Sequence, residues 1–259
     1  MIEKSSAAAV IPARYGSTRF PGKPLAPLAG RPMIRHVYER VGRAARIGRV
    51  IVATDDERIL KAVEDFGGTA VITSGEHATG TDRVAEVAAG LSEEIVVDVQ
   101  GDEPLISPQA VDAAVEPLLQ DPGLQMSTLA HPLDDISQLE NSDAVKVIRD
   151  RDGYAVDFFR RPPADSKVQL RGGETLRHVG LYAFRRAYLL ELAAQEPARR
   201  ERELSLEQLR PLEDGCRIRV IRTDYRIVGV DRPEDIEKAE KLLAAEAGRL
   251  TQPEKEALS

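Results

Sequence analysis

A basic, glycine-containing loop at residues 12–24 follows the first apolar run of the chain. Its sequence, PARYGSTRFPGKP, holds two arginines, one lysine and two glycines. Glycine lets backbone N–H groups come close to an anion, and arginine and lysine neutralise phosphate charge. An ordinary solvated loop could carry the same residues, but cations beside glycines at the end of a strand favour an anion site. The loop therefore predicts polyphosphate binding, because ligands of open α/β sheets lie beyond the carboxyl ends of the strands.

The spacing within this loop differs from two common phosphate-binding motifs. A Walker A loop has four residues between its glycines and a Ser or Thr after its lysine. Here five residues separate Gly16 from Gly22, and Pro24 follows Lys23. The G-x-G-x-x-G fingerprint of dinucleotide-binding folds is also absent from the sequence, which disfavours a nicotinamide or flavin oxidoreductase. The loop therefore predicts a phosphate site of another kind.

Two carboxylates follow predicted strands in distant parts of the chain. Asp102 comes just after the apolar run at 95–99, and Asp231 comes directly after a run at 225–230. Magnesium binds hard oxygen ligands, usually one or two carboxylates together with substrate phosphates. Asp231 could equally cap the helix that Pro233 helps to start. We expect both carboxylates to lie above the same edge of the sheet, where Asp102 is the natural first ligand of Mg²⁺ and Asp231 is either its second ligand or the cap of that helix.

Short apolar runs alternate with helical patterns through the first half of the chain. Predicted strands cover residues 7–12, 50–53, 70–73 and 95–99. Predicted helices lie at residues 33–41, between Asp55 and Gly67, at 81–91 and at 108–119. Continuous apolar runs are typical of strands covered on both faces. The alternation predicts the α/β class, with a doubly wound, mostly parallel sheet.

The pattern changes after about residue 125. Strands are predicted close together at 126–130, 145–149, 154–159 and 177–184, with a hairpin turn at Asp152–Gly153. They predict an antiparallel insertion, at about 125–190, laid over one edge of the sheet within a single domain that covers residues 1–259. Residues 160–173 are predicted to form a polar loop. Further predicted elements are helices at 186–194 and around 203–212, and a last strand at 225–230.

Composition excludes several classes of protein. The net charge of −7 over 259 residues argues against a general nucleic-acid binder, which would show a basic surplus. Cys216 is the single cysteine, so no internal disulfide can form, and a reducing cytoplasm is expected. The apolar stretch at 7–11 is too short to span a bilayer. We therefore expect neither a nucleic-acid partner nor a membrane partner.

The run PARYGSTRFPGKPL at 12–25 resembles the signature of sugar nucleotidyltransferases that use CTP, and above all the 3-deoxy-manno-octulosonate (Kdo) cytidylyltransferase family. Further segments that resemble this family are HATGTDR at 77–83, VQGDEP at 99–104, RHVGLY at 177–182, SLEQLR at 205–210 and GVDRPED at 229–235. The resemblance implies a Rossmann-like nucleotidyltransferase fold. It also implies transfer of CMP from CTP to the anomeric hydroxyl of Kdo, for lipopolysaccharide biosynthesis, and a homodimer formed through the antiparallel insertion.

The same resemblance implies roles for individual residues. Those implied to bind the nucleotide are Arg14, Ser17, Arg19, Lys23, Gln100 and Arg83. Those implied to bind the sugar are Arg160, His178, Glu207 and Gln208. Those implied to be catalytic are Lys23, Asp102 and Asp231, of which the two aspartates hold Mg²⁺. No residue stands out as a general base.

The chain departs from the family pattern at residues 159–165. The family has Ser-Arg-x-x-Ile-Pro-aromatic where this chain has Phe-Arg-Arg-Pro-Pro-Ala-Asp, so Arg160 matches but Phe159 replaces the serine. This departure leaves open a related acid sugar, such as 8-amino-Kdo or sialic acid, and UTP is a second possible nucleotide. A non-catalytic nucleotide-sensing protein on the same fold is the alternative from a different class.

Overall fold

The computed structural model describes residues 7–17, 19–162 and 173–250. Most of the polar loop predicted at 160–173 lies outside the described residues. The strands, in chain order, are β1 (Ala7–Ala13), β2 (Pro27–Leu28), β3 (Arg31–Pro32), β4 (Ile47–Thr54), β5 (Ala70–Ile72), β6 (Ile95–Val99), β7 (Met126–Pro132), β8 (Lys146–Arg149), β9 (Ala155–Phe159), β10 (Glu174–Arg185) and β11 (Ile218–Arg222). The α-helices are α1 (Met33–Val41), α2 (Glu57–Asp65), α3 (Gly80–Ala88), α4 (Pro108–Gln120), α5 (Arg186–Ala193), α6 (Arg199–Leu204), α7 (Leu209–Glu213) and α8 (Asp235–Leu250), and short 3₁₀ helices cover Lys23–Leu25 and Ile136–Leu139.

One large sheet runs through the molecule in the order β11-β7-β10-β6-β1-β4-β5. Strand β1 is parallel to both β4 and β6, and the pairs β4–β5 and β11–β7 are parallel as well. Strand β10 runs antiparallel between β6 and β7. The predicted fold class, α/β with a mostly parallel sheet and an antiparallel part, is confirmed.

The sheet is covered on both faces, which explains the continuous apolar runs. Along β1, Ala9 and Ile11 pack into the core layer that contains α1, α2 and α4, while Ala8 and Val10 pack into the opposite layer with α3 and α5. Successive strand residues face opposite sides, so a strand between two helical layers needs apolar residues at every position. This packing fixes the carboxyl ends of β1 and β6 side by side. Within the described residues, no helix combines the length and the apolar character needed to cross a membrane.

The antiparallel strands are part of the sheet rather than a lobe laid over its edge. Strands β7 and β10 continue the sheet beyond β6, and only the hairpin of β8 and β9, which pairs with the start of β10, lies off this path. Gly153 turns this hairpin with a φ of +89°, in the left-handed region that favours glycine. The predicted position over one edge is therefore wrong, because the pattern of short strands carries no information about which strand lies next to β6. The division at about 125–190 and its role in a dimer stay predictions.

Two predictions about the last third of the chain are also corrected. Residues 225–230 form no regular element, and the preceding segment forms the strand β11 instead. The helix predicted around 203–212 is interrupted: Ser205 has a φ of +52° and ends α6, and α7 begins at Leu209. Both differences lie next to the site described below, where contacts between distant segments override local patterns.

Candidate active site

A tight turn carries the basic loop away from the end of β1. The carbonyl of Tyr15 accepts hydrogen bonds from the backbone N–H groups of Ser17 and Gly22, each at 2.9 Å. Gly22 has a φ of +70°, and a Cβ added there would lie 3.0 Å from the Tyr15 ring. The loop borders a cavity of about 480 Å³. Its lining includes the loop residues predicted to bind phosphate, Arg14, Ser17, Arg19 and Lys23.

Asp102 and Asp231 converge on the ammonium group of Lys23. The Nζ atom lies 2.7 Å from Oδ2 of Asp102 and 3.5 Å from Oδ1 of Asp231. The guanidinium of Arg19 lies 3.1 Å from the same Asp231 oxygen. The backbone joins the two carboxylates as well, because the N–H of Val230 donates to the carbonyl of Asp102 at 2.9 Å. The structure thus brings together two carboxylates from distant parts of the sequence, although no strand precedes Asp231.

Glu103 and Tyr225 support this arrangement. Glu103 is buried, and burial, followed by the charge of Asp102, raises its pKa to about 8. The hydroxyl of Tyr225 donates to Oε2 of Glu103 at 3.0 Å. Tyr225 lies on the irregular segment that leads to Asp231, so this hydrogen bond fixes that segment against the loop after β6.

A larger cavity, of about 660 Å³, opens beside the first. Its lining includes the residues predicted to bind the sugar, Arg160, His178, Glu207 and Gln208. Arg19, Gln100 and Asp102 line both cavities. The structure therefore places the predicted sugar-binding residues together, next to the basic loop, with Asp102 at the boundary.

His178 presents a defined tautomer at this larger cavity. Its Nε2 atom lies 2.9 Å from Oγ1 of Thr128, and that hydroxyl lies 2.8 Å from the carbonyl of Leu181. Because Thr128 has one hydroxyl proton and donates it to the carbonyl, its oxygen accepts the Nε2 proton of His178. Burial lowers the pKa of His178 to about 3, so the ring is neutral near pH 7 and Nδ1 is a hydrogen-bond acceptor. The Thr128 hydroxyl lies where β10 departs from the register of β7, between Val179 and Tyr182.

The side chains of Glu207 and Gln208 are each held through one of their own oxygen atoms. Oε2 of Glu207 accepts from the N–H of Thr81 at 3.0 Å and from its hydroxyl at 2.6 Å. Oε1 of Gln208 accepts from the hydroxyl of Tyr182 at 3.1 Å. Their second polar atoms form no hydrogen bond with the described residues and can bind a ligand. Both side chains lie in the short turn between Ser205 and α7, so the interruption of the predicted helix is what points them into the cavity.

Gln100 lies at the boundary between the two cavities. Its Nε2 donates to Oδ1 of Asp98 at 2.9 Å. Asp98 is fully buried, and burial raises its pKa well above the usual range. A Cβ added at Gly80 or at Gly180 would come within 3.7 Å of the Gln100 side chain, so the two glycines flank it closely. With Nε2 held by Asp98, Oε1 remains to accept a hydrogen bond from a ligand.

Comparison with known proteins agrees with this geometry. The cytidylyltransferase family model matches residues 8–220 of the chain. A 3-deoxy-manno-octulosonate cytidylyltransferase of Pelobacter propionicus is 50% identical over 247 residues, which cover 92% of this chain and 97% of that protein. The chain belongs to the 3-deoxy-manno-octulosonate cytidylyltransferase family. A member from Geobacter sulfurreducens is 49% identical over 245 residues, which cover 90% of this chain and 98% of that protein.

A solved structure supports the same family assignment. It is a CMP:2-keto-3-deoxy-manno-octonic acid synthetase complexed with CTP, and it matches with a TM-score of 0.85 at 40% identity. The match covers 93% of this chain and 99% of that chain. The family resemblance read from the motifs is confirmed, and the chain is a nucleotidyltransferase.

Cytidylyltransferases generally use a divalent metal ion, and the carboxylate pair fits one. The carboxylate oxygens of Asp102 and Asp231 are hard ligands, and both carboxylates lie close to one cationic group, the ammonium of Lys23. The described residues contain no group of three or more His, Cys, Asp or Glu side chains that could hold a metal ion. A site with two carboxylates suits a hard cation that takes its remaining ligands from phosphate and water.

Arg83 lies in the core and is absent from the lining of both cavities, and its predicted contact with the nucleotide stays a prediction. Its side chain is 1% exposed, and its Nη2 lies 2.8 Å from Oδ2 of Asp55. A second hydrogen bond joins Nη1 to the hydroxyl of Thr73. Helix α3 turns this side chain toward the sheet, where Asp55 compensates its charge.

Several residues at the site were not singled out from the sequence. They are Arg177, which lines the larger cavity, and the hydroxyl donors Thr81, Thr128, Tyr182 and Tyr225. Arg177, Thr81 and Tyr182 lie inside motifs that resemble the family, which is a signal that could have identified them. Thr128 and Tyr225 lie outside these motifs, and their partners are distant in sequence.

Proposed function

We propose that the chain transfers CMP from CTP to the anomeric hydroxyl of 3-deoxy-D-manno-octulosonate, releasing pyrophosphate. The observation that carries this proposal is that the cavity beside the basic loop and the larger cavity meet at Gln100 and Asp102. A triphosphate in the first cavity and an acid sugar in the second would have their reacting atoms near this boundary. The names of the relatives and the CTP complex of the similar structure support the choice of substrates.

The residues of the chain act mainly by positioning and by neutralising charge, which is the main source of catalysis in such transfers. Arg14, Ser17 and Lys23 bind the triphosphate, and Arg19 assists them. The oxygen of the sugar hydroxyl attacks the α-phosphorus in line and its proton passes to water. The bond from this phosphorus to the bridging oxygen of the β-phosphate breaks, and pyrophosphate leaves. Lys23 offsets the negative charge that develops on the pyrophosphate.

The sugar is held by the lining of the larger cavity. His178 accepts a sugar hydroxyl at Nδ1, and Glu207 and Gln208 bind further hydroxyls through their second polar atoms. Arg160 faces the sugar carboxylate. Gln100 offers Oε1 as an acceptor, which suits the amino group of cytosine.

Asp102 and Asp231 would hold Mg²⁺. Bound there, such an ion would polarise the α-phosphate and would lower the pKa of the attacking hydroxyl. Lys23 lies between the two carboxylates and can move its charge to the phosphates when CTP binds.

A homodimer and a cytoplasmic location complete the proposal. The homodimer rests on the family resemblance, and the single cysteine, Cys216, is compatible with a reducing compartment. Sedimentation of the purified chain would measure its oligomeric state, and fractionation of the cells that produce it would measure its location. A monomer that keeps full activity would contradict the dimer.

Pyrophosphate release across a panel of substrates tests the function. CTP and UTP are each combined with Kdo, 8-amino-Kdo and sialic acid in excess Mg²⁺. We expect the highest kcat/KM for CTP with Kdo. A higher value for another pair would transfer the assignment to that pair, and binding of CTP without turnover on any sugar would indicate a nucleotide-sensing protein.

A further inference from the structure

Lys146, the first residue of β8, is buried and makes unusual contacts for a lysine. Its side chain is 0% exposed. Its ammonium donates to the carbonyls of Asn141 and Ala144, each at 2.8 Å, and to the carbonyl of Arg160. The three N–H groups of the ammonium thus meet three backbone carbonyls, and within the described residues no carboxylate forms a salt bridge with it. A buried charge without a counter-ion is costly, so its retention calls for an explanation.

Two of the three carbonyls belong to residues that line the larger cavity, Ala144 and Arg160, and the third belongs to Asn141, which directly precedes the lining residue Ser142. The loop at 142–145 and the side chain of Arg160 both line that cavity. The guanidinium of Arg160 donates in turn to the carbonyl of Ser142 at 3.3 Å and to those of Leu204 and Ser205 at 3.4 Å. Lys146 therefore fixes the backbone of Arg160 and the loop that the Arg160 guanidinium contacts at Ser142.

We propose that Lys146 is a positioning residue for the sugar substrate. Its ammonium holds the 141–145 loop and Arg160 in the arrangement that receives the sugar carboxylate, and it adds a positive charge behind that wall. The inference rests on the proposed function, because it takes the larger cavity as the acid-sugar site.

Four charged side chains act on the ammonium: Glu140 before the loop, Arg160 and Arg161 after β9, and Arg177 on β10. Burial lowers the pKa of Lys146 to about 8; Glu140 acts in the opposite direction, and the arginines add to the lowering. Above this pH, a neutral amine has two N–H groups for three carbonyls and carries no charge. Sugar binding should therefore weaken as the pH rises through 8.

The experiment compares Lys146→Met with Lys241→Met in the full chain. Methionine keeps an unbranched apolar side chain that extends to Cε and removes the ammonium, and Lys241 is an exposed lysine on α8 paired with Glu237. Initial rates of pyrophosphate release give KM for Kdo at saturating CTP and KM for CTP at saturating Kdo. We expect Lys146→Met to raise the Kdo KM at least about tenfold and to change the CTP KM by less than about twofold. Lys241→Met should change neither.

An unchanged Kdo KM in folded Lys146→Met, or an equal rise in both KM values, would overturn the proposal. If this variant does not fold, the wild type decides. Its Kdo KM should rise about tenfold between pH 7 and pH 10, and a level Kdo KM would overturn the proposal. Failure of the wild type to use CTP and Kdo at all would instead contradict the proposed function, so the two failures are distinguishable.

Discussion

Removal of the Lys23 ammonium should strengthen the binding of a divalent cation to the free protein even as it lowers activity. Lys23 contacts both carboxylates proposed to hold the metal ion, at 2.7 Å from Asp102 and 3.5 Å from Asp231. In the free protein this cation competes with the metal ion for the same oxygens. With CTP bound, Lys23 is proposed to serve the phosphates, so its loss should lower kcat.

The size of the effect follows from the distance and the exposure. Two unit charges 2.7 Å apart attract by about 1.5 kcal/mol in bulk water and by about 6 kcal/mol at an effective dielectric constant of 20. The side chain of Lys23 is 14% exposed and that of Asp102 is 32% exposed, so water screens the pair considerably. We therefore expect Lys23→Met to tighten cation binding by about 1–2 kcal/mol, which is about 5- to 30-fold in Kd.

Mn²⁺ is a suitable probe, because the electron paramagnetic resonance signal of the free ion measures the concentration of unbound Mn²⁺. The titration is run without nucleotide on the wild type, on Lys23→Met and on Lys61→Met. Lys61 is an exposed lysine of α2 and serves as the matched control. Lys23→Met should bind Mn²⁺ more tightly than the wild type and Lys61→Met should match the wild type.

Equal or weaker Mn²⁺ binding by Lys23→Met would refute the competition between lysine and metal ion. It would mean that Asp102 and Asp231 do not hold the cation in the free protein. Measurement of kcat on the same variants separates the two roles of Lys23, since only its service to the phosphates affects turnover.

Three further predictions concern the same site. Asp102→Asn should abolish pyrophosphate release while CTP binding is only partly weakened; near-normal release in excess Mg²⁺ would contradict its catalytic role. Tyr225→Phe should lower the free energy of unfolding by about 1–3 kcal/mol in urea titrations, because it leaves the buried Glu103 without its hydroxyl donor; an unchanged value would show that this bond is dispensable. Burial lowers the pKa of His178 to about 3, so the ring stays neutral in the folded protein, whereas the unfolded chain binds a proton below pH 6.5. The contribution of His178 to the free energy of unfolding should therefore fall by about 1.4 kcal/mol per pH unit as the pH drops from 6.5 toward 3. The free energy of unfolding of His178→Asn should change with pH by that much less per unit. An identical dependence on pH in the two proteins would refute a neutral, buried His178.

The parallel half of the fold could be predicted from the sequence because each strand is a local signal. The run at 95–99 coincides with β6, and the run at 7–12 falls short of β1 by one residue. These strands are covered on both faces, so their apolar character does not depend on which strand lies beside them. The basic loop was predictable for the same reason, because its glycines and cations are contiguous.

The segment at 225–230 shows why other parts could not be predicted. Its aromatic and branched residues resemble a strand, yet the segment is fixed by long-range contacts that include a hydrogen bond from Tyr225 to Glu103 and one from Val230 to Asp102. Both partners are far away in sequence. The burial of Arg83 could not be predicted for the same reason, because its partners Asp55 and Thr73 belong to other parts of the chain.

The irregular pairing of β10 with β7 limits the changes in length that the chain can accept. Gly180 and Leu181 fall between Val179 and Tyr182 without a partner in β7, whereas the pairing with β6 runs unbroken from Leu181 onward. Successive strand residues face opposite sides, so one residue gained or lost in this stretch would turn either His178 or Tyr182 away from the cavity. Divergence toward other sugars, whether natural or engineered, should therefore proceed by substitution within β10, and insertions or deletions should be confined to other segments.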